Sequence, residues 1–329
     1  MKLNQLGNIY SSNGEFTTRA AIQQSYYRAS INEKCGKGRK NVVSGRKVNG
    51  KPILKSIIQE YGHLVTGGEF RNKNFFFEET FEYAKDRVEH IKKDETIKAD
   101  RLFNNLLSSM PMAFNLFHPL MLIKKKYPDS LDQMIQRIFP DITITKVDDI
   151  LIEYIPLPIS SYTDDRSAMD AAILFSDDKG NKYIISIETK YIDQLGKNKA
   201  KENDLKLKIA RELKIFTEEG IYTISLGCNQ IYRNFLLTEK YRKVHRFSDS
   251  FSIILAPRNH PSTEEEIASI QEKLLPDFHY KLKKYALEDF VRNLKYDCPG
   301  EFRPWIDWFY SRYLDFSITE DLYKEFIDQ

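Results

Sequence analysis

Asp170, Glu188 and Lys190 are the residues of this sequence whose types and spacing best suit chemistry. They lie in two apolar runs typical of β-strands, separated by Asp177–Gly180, a segment typical of a tight hairpin loop. With Gly180 at the left-handed position of a three-residue loop, strand pairing places Asp170 directly opposite Glu188. Side chains alternate along a strand, so Lys190 shares a face with Glu188. The sequence therefore predicts that these three side chains converge on one small area.

Two opposed carboxylates create an electrostatic conflict. Their Cβ atoms lie roughly 5 Å apart in such a pair, where like charges are destabilising. The strands around them are apolar, so we expect partial burial, which raises the free energy of both ionised forms. A divalent cation that prefers oxygen ligands, Mg²⁺ or Mn²⁺, resolves this conflict. Lys190 beside such an ion can orient or activate a water molecule and stabilise negative charge on a phosphate.

The competing interpretation is an ordinary surface ion cluster. An acidic residue two positions before a lysine occurs four times, beginning at Asp177, Glu188, Asp204 and Glu212. The first lies in the predicted loop, and the last two lie in a lysine-rich helical segment, where solvated charge is the usual state. Only the second ends an apolar strand and has an acid opposite it, which favours the metal-site interpretation.

Glu153, Gln230 and Arg233 are further candidates. Glu153 lies in an apolar strand, where it could bind a second metal ion, hold a water molecule or, on an edge strand, face solvent. Gln230 and Arg233 are one turn apart in a predicted helix and share a face. Arg233 could hold a phosphate or form a structural salt bridge, and the sequence leaves these alternatives open.

The segment Lys34–Lys51 concentrates positive charge. It contains seven basic residues and no acidic one. It could follow a nucleic-acid backbone, or it could be a solvated loop. The candidate phosphate-binding residues in it are Lys37, Arg39, Lys40, Arg46 and Lys47.

The elements that must position these residues follow from the spacing of apolar side chains. Helices are expected over 16–30, 76–97, two pieces across 102–123, 203–217, 229–242, 283–295, 304–314 and 319–328. Strands are expected over 150–155, 169–175, 182–191, 221–226 and 251–256. This order predicts an α/β protein with an N-terminal helical and basic region (1–98), a mixed core (99–260) and a C-terminal helical region (261–329).

Four segments, over about residues 100–260, resemble those of the PD-(D/E)XK nuclease superfamily and, more closely, a little-studied bacterial restriction-endonuclease-like branch. One difference is Met169, which stands where the motif has proline, so the motif is less specific here although its chemistry is kept. The segments are Leu107–Phe117 (LSSMPMAFNLF), Glu153–Pro156 (EYIP), Glu188–Tyr191 (ETKY) and Gln230–Asn234 (QIYRN).

The resemblance implies a restriction-endonuclease-like αβββαβ core with a mixed sheet, and metal-dependent hydrolysis of phosphodiester bonds, with DNA as the expected substrate. It places the metal on Asp170, Glu188 and the backbone carbonyl of Thr189, and a catalytic role on Lys190. It also implies a role in bacterial defence or restriction, with a homo-oligomer or a defence-system partner protein as further expectations. The alternatives are a non-catalytic nucleic-acid-binding or assembly protein that keeps the fold, and a hydrolase of RNA or nucleotides.

Composition excludes several other classes. The 329 residues are 41% hydrophobic, which is ample for a packed core, and 50 basic against 47 acidic side chains leave a net charge of only +3. Any surface for nucleic acid must therefore be a local patch. The three cysteines show no metal-type spacing, and the uncharged stretch Leu102–Ile123 contains too many polar groups for a membrane span. We therefore expect a cytoplasmic protein with no membrane segment.

Overall fold

The computed structural model describes residues 1–11, 14–48, 51–193 and 204–329. The helices in these ranges are α1 (Glu15–Ser30), α2 (Glu78–Glu89), α3 (Ala99–Asn104), α4 (Ser109–Lys126), α5 (Pro128–Ile138), α6 (Asp204–Leu213), α7 (Glu218–Leu226), α8 (Gln230–His245), α9 (Thr263–Gln271), α10 (Leu287–Asp297), α11 (Arg303–Tyr313) and α12 (Glu320–Ile327). The strands are β1 (Gly36–Val48), β2 (Lys51–Tyr61), β3 (Lys146–Tyr154), β4 (Met169–Ser176), β5 (Lys182–Thr189), β6 (Asp249–Ala256) and β7 (Leu282–Ala286).

The central sheet has five strands in the order β3-β4-β5-β6-β7. Strands β3, β4 and β5 are antiparallel neighbours, whereas β6 is parallel to both β5 and β7. Helices α4 and α5 precede the sheet, and α6 to α8 form the crossover from β5 to β6. The expected α/β class and the αβββαβ order of a restriction-endonuclease-like core are confirmed, with β7 added as an edge strand.

The hairpin between β4 and β5 has the predicted loop and register. Gly180 has φ +79°, in the left-handed region that a residue with a Cβ rarely adopts. The amide of Asp177 donates to the carbonyl of Asn181 at 3.0 Å, which closes the three-residue loop. Farther along, Ala171 pairs with Ile187, so the next position places Asp170 level with Glu188.

Helices cover both faces of the sheet. Phe117 of α4 and Phe290 of α10 share one hydrophobic cluster with Ile173 of β4. On the other face, Leu237 of α8 packs with Ile184 of β5. Alternating strand residues thus face two different helical layers, which is why the central strands are apolar along nearly their whole length.

The basic segment Lys34–Lys51 forms strands for most of its length. Strands β1 and β2 pair as an antiparallel hairpin from Gly36↔Tyr61 outward, and the register shifts between Val43 and Lys47. At the base, the Gly36 amide donates to the Leu64 carbonyl at 2.7 Å. The solvated-loop alternative is therefore wrong about the backbone of this segment.

Two expected helices differ from the structure. The helix expected over 76–97 ends at Glu89, and the residues after it form a separate turn in which the Glu95 side chain accepts from the Lys92 amide at 2.9 Å. The segment expected to be helical over 283–295 begins as β7, whose parallel pairing with β6 occupies its backbone before α10 starts at Leu287.

The strand expected over 221–226 is wrong: this run lies in α7. The Thr217 side chain accepts from the Gly220 amide at 3.0 Å, so the helix is capped before the apolar run begins. A capped start and burial of Ile224 favour the helix over the β propensity of this run.

The three segments 1–98, 99–260 and 261–329 contribute to one core. A single hydrophobic cluster contains Ala20, Phe117 and Trp305, one from each segment. The N-terminal segment adds the β1–β2 hairpin to its helices, and the C-terminal segment adds β7. The three-part division stays a prediction about the chain. Among the described residues, no helix is both long and apolar enough to cross a membrane.

Candidate active site

A cleft of about 790 Å³ opens where the antiparallel part of the sheet ends. Glu153 of β3, Asp170 of β4 and Glu188 of β5 all line it, together with Lys190 just after β5. The N-terminal residues of α4 and α8 complete its walls. The other polar lining residues are Tyr10, Thr96, Lys98, Arg101, Ser109, Asp165, Arg166, Ser167, Asp193, Gln230, Arg233 and Asn234.

The three acids lie in a row across neighbouring strands. Ile152 pairs with Ala171 and Tyr154 pairs with Met169, so Glu153 and Asp170 are at the same level. The register of β4 and β5 continues this row to Glu188. Strand pairing thus concentrates negative charge at one end of the sheet.

Asp170 is held by the strand beside it. Its Oδ2 accepts from the Thr189 amide and from Thr189 Oγ1, both at 2.8 Å. Burial raises the pKa of Asp170, although the Lys190 charge and the hydrogen bonds from Thr189 oppose this. Its Oδ1 accepts no hydrogen bond from any residue that the structure describes, which leaves this oxygen free for a ligand.

Glu188 is among the most buried acids of the cleft, with 3% of its surface exposed. Its Oε2 accepts from the Asn234 amide, and its Oε1 lies 2.5 Å from Lys190 Nζ. Oε1 is buried and accepts no well-aligned hydrogen bond from the described residues. Burial, followed by the charge of Asp170, raises the pKa of Glu188 to about 7.

Lys190 connects the strand to helix α8. Its Nζ donates to Gln230 Oε1 at 2.9 Å and contacts Glu188. Burial on its own lowers the pKa of a lysine, but the charges of Glu188 and Asp170 outweigh it and raise the pKa of Lys190. In this arrangement the ammonium is charged at neutral pH and acts as a donor.

Glu153 has a backbone conformation that is rare for a residue with a side chain. Its φ is +47°, which costs about 1–2 kcal/mol outside glycine, and only 6% of its surface is exposed. Burial first, and then the charges of Asp170 and Glu188, raise its pKa well above the usual range. The alternative of a solvent-facing glutamate does not fit this position.

The predicted nucleic-acid contacts fall into two groups. Arg233 lines the cleft, and its Nε is buried without a hydrogen-bond partner in the described part of the chain. Gln230 Oε1 is taken by Lys190.

The second group lies on the β1–β2 hairpin. Lys37, Arg39 and Lys40 are exposed on β1. For Arg46 and Lys47, the structure describes the backbone of β1 but not the side chains.

Sequence reasoning missed three cleft residues that contact one another: Asp193, Ser109 and Arg101. Asp193 Oδ2 accepts from Ser109 Oγ at 3.1 Å and from Arg101 Nη2 at 3.3 Å. Arg101 also donates to Ser108 Oγ at 2.7 Å, and its charge partly opposes the rise in the pKa values of Asp170 and Glu153 that burial causes. The sequence feature that could have indicated these residues is the start of α4. Two serines at a helix N-terminus, with an arginine nearby, can bind an anion such as a carboxylate.

The donor set of the cleft suits a divalent ion with two carboxylates. Among the described residues, no group of three or more His, Cys, Asp and Glu side chains is placed to hold a metal ion. Asp170 and Glu188 each keep an oxygen without a well-aligned hydrogen bond from the described chain, and both are hard oxygen donors. Two carboxylates with a backbone carbonyl, such as that of Thr189, fit Mg²⁺ or Mn²⁺, which complete their coordination with water.

Comparison with known proteins gives one family. A family model described as the PD-(D/E)XK nuclease superfamily matches residues 11–315. No curated protein and no solved structure matches the chain. The matched range contains the whole central sheet and every residue of the acidic row.

Proposed function

The chain belongs to the PD-(D/E)XK nuclease superfamily, and from this premise we propose that it is a divalent-metal-dependent nuclease acting on DNA. One observation carries the proposal: Asp170 and Glu188 lie level on adjacent strands, and Lys190 Nζ is 2.5 Å from Glu188 in the same cleft. A buried carboxylate opposite a half-buried one, with an adjacent ammonium, is unfavourable without a ligand and well suited to phosphate chemistry with one.

Asp170, Glu188 and the Thr189 carbonyl are the proposed metal ligands. When bound, Mg²⁺ or Mn²⁺ supplies positive charge beside the phosphate and makes a coordinated water more acidic. The chain's own part is to hold its oxygens in place: Thr189 fixes Asp170, and Asn234 fixes Glu188. These contacts set the ligand oxygens before any substrate arrives.

Lys190 is proposed to orient the attacking water and to stabilise charge on the phosphate. Its raised pKa supports a donor role over proton abstraction. Glu153 is the proposed acceptor for the proton of that water. Burial raises its pKa, and a carboxylate with a raised pKa is a stronger base than an exposed one.

Arg233 and the β1–β2 hairpin are proposed to hold the nucleic-acid backbone. The guanidinium of Arg233 has no salt bridge in the described part of the chain and faces the cleft, so a phosphate can pair with it. The hairpin adds exposed Lys37, Arg39 and Lys40 outside the cleft. We include Arg46 and Lys47 in this surface on their sequence alone.

Cleavage assays on purified protein test this function. We expect cleavage of DNA with Mg²⁺ or Mn²⁺ and none with EDTA. Lys190→Met should remove turnover while metal binding persists, because an ammonium is no metal ligand. If the protein cleaves only RNA, the proposed hydrolysis of phosphodiester bonds holds but the proposed substrate is wrong. If it binds DNA without cleaving it in the presence of any metal, the non-catalytic alternative is favoured.

Metal-dependent stability gives a second test that needs no substrate. Wild type should gain about 2.7 kcal/mol of unfolding free energy when the metal reaches a hundredfold excess over Kd. Asp170→Asn should lose most of this gain, yet keep its metal-free stability, because the amide oxygen can still accept from Thr189. Thermal melts with EDTA and with a Mn²⁺ series measure both effects.

Asp132→Asn is the matched control for this measurement. Asp132 also accepts from a backbone amide, that of Val147 at 2.7 Å, but it does not line the cleft. Its variant should respond to metal as wild type does. An ion cluster without a metal would instead show a loss of metal-free stability in Asp170→Asn and no response to Mn²⁺.

A further inference from the structure

The path of β3 changes at Glu153. Ile152 packs in the cluster on the α4 face of the sheet, whereas Tyr154 packs against Tyr241 of α8 on the opposite face. Residues two apart on a regular strand point to the same face. The left-handed φ of Glu153 therefore rotates the strand at this residue, and the Glu153 side chain lines the cleft.

Arg87 binds the backbone on both sides of that rotation. Its Nη1 donates to the Ile152 carbonyl at 2.6 Å, and its Nη2 donates to the Glu153 carbonyl at 3.1 Å. Successive carbonyls of a regular strand point to opposite sides, so one guanidinium cannot bind both. Both bonds form here only because the chain turns at Glu153.

These contacts lie at an edge of the sheet. In the part of the chain that the structure describes, β3 is an edge strand, so its outer side has no neighbouring strand in the sheet. Arg87 reaches this side from the last turn of α2 and is itself held by Glu95, with 3.5 Å between Nη2 and Oε1. Its Nη1 also lies 3.2 Å from the Tyr83 hydroxyl. Contacts other than those to the strand therefore also hold the guanidinium in place.

We propose that Arg87 is a positioning residue that holds Glu153 in its left-handed conformation and so keeps the carboxylate in the cleft. The inference rests on the proposed function of the cleft, because that function assigns a catalytic role to the Glu153 carboxylate. Without the two hydrogen bonds, the backbone at Glu153 relaxes toward an ordinary β conformation, and the carboxylate leaves the row that it forms with Asp170 and Glu188.

A double-mutant cycle in cleavage assays tests the proposal. Arg87→Met keeps the aliphatic stem and removes both donors, and it should lower kcat about tenfold to a hundredfold with little change in KM. Arg87→Lys should restore part of the activity, since an ammonium can still bind one carbonyl. In a Glu153→Gln background, Arg87→Met should cause no further decrease, because the residue acts through that carboxylate.

Arg242→Met is the matched control. Arg242 has a similarly exposed side chain, 23% against 19% for Arg87, and also pairs with a glutamate, but it lies outside the cleft. Its variant should cleave as wild type does. Equal decreases from Arg87→Met in both backgrounds, or an unchanged kcat, would overturn the proposal.

Amide hydrogen exchange separates this inference from the proposed function. Arg87→Met should speed exchange at residues 153–155 selectively, whereas Arg242→Met should leave these amides protected. This outcome is expected even if wild type cleaves no nucleic acid, in which case only the nuclease proposal fails. Unchanged protection of these amides in Arg87→Met would contradict the role assigned to Arg87.

Discussion

The buried pair of Glu188 and Lys190 is the electrostatic centre of the cleft. Two charges out of water are unfavourable unless further hydrogen bonds satisfy them, and here Asn234 and Gln230 each contribute one. Burial and Asp170 nevertheless raise the pKa of Glu188 to about 7. The ionised form of Glu188 is therefore unfavourable in this cleft, and the proposed cation would stabilise it.

The pH dependence of stability should reveal the raised pKa of Glu188. Because the pKa of Glu188 rises from 4.5 to about 7 on folding, the folded state binds more protons than the unfolded state between these values. The free energy of unfolding should therefore fall as the pH rises from about 4.5 to 7, by on the order of 3 kcal/mol from this group. Chemical unfolding in EDTA across this range measures the effect.

Two comparisons check the assignment of that slope. Glu188→Gln has no carboxyl to titrate, so its stability should depend less on pH than that of wild type. Saturating Mg²⁺ should have a similar effect, because the ion favours the ionised carboxylate. A slope that is identical in Glu188→Gln and wild type would show that other groups cause it.

At the scale of elements, β5 and α8 act together. Strand β5 presents Glu188 and leads into Lys190, and α8 holds each of them from positions one turn apart, Asn234 and Gln230. Side chains four positions apart on a helix share a face, so one helix can match two strand residues. The β1–β2 hairpin is the other element with an expected role.

Neutralising the hairpin should weaken DNA binding. Lys37, Arg39 and Lys40 are exposed, and changing them to glutamine removes up to three cations that could pair with phosphates. The slope of log K against log salt should flatten by about 0.9 for each phosphate that the protein no longer neutralises. Binding titrations at several salt concentrations measure this slope, with Ca²⁺ in place of Mg²⁺ or Mn²⁺ to suppress the proposed cleavage.

The control is an equal change of charge elsewhere. Lys93, Lys125 and Lys179 are exposed and lie outside the hairpin and the cleft. Their triple glutamine variant should keep the salt slope of wild type. If both triple variants behave alike, the hairpin has no special role and only net charge matters.

At the scale of the whole molecule, distant segments share the same core. Trp305 of α11 is fully buried and donates to the Asn115 carbonyl of α4 at 2.7 Å. Arg312 donates to Gln24 of α1 at 3.1 Å and to the carbonyl of Asn74 at 2.7 Å. The N- and C-terminal segments therefore pack on each other as well as on the sheet.

The middle segment alone should not fold. Residues 99–260 lack β7 and large buried side chains such as Phe290, Trp305 and Phe309. Each such side chain contributes about 1.5–3 kcal/mol, so losing several of them removes an amount comparable to the whole 5–15 kcal/mol stability of a typical domain. We expect a single cooperative thermal transition for the full chain and none for residues 99–260, followed by circular dichroism. Cooperative melting of the fragment would support an independent core domain.

Local rules in the sequence were sufficient for the central hairpin. The glycine at the end of the loop, together with alternation along the strands, determined the register that aligns Asp170 with Glu188. Both rules act over a few residues, so they can be read without the rest of the molecule. For the same reason, α1 and most strands of the sheet lie where the sequence predicts them.

Only the tertiary structure decided the features that depend on distant partners. The strand at β7 exists because β6 offers it a parallel neighbour. Glu153 enters the cleft through a left-handed turn that Arg87 binds from 66 positions away, and no local pattern marks a glutamate for that conformation. Arg101 reaches the cleft through Asp193, 92 positions along the chain. A contact between distant residues is set by how helices pack on the sheet, and that packing is a property of the whole fold.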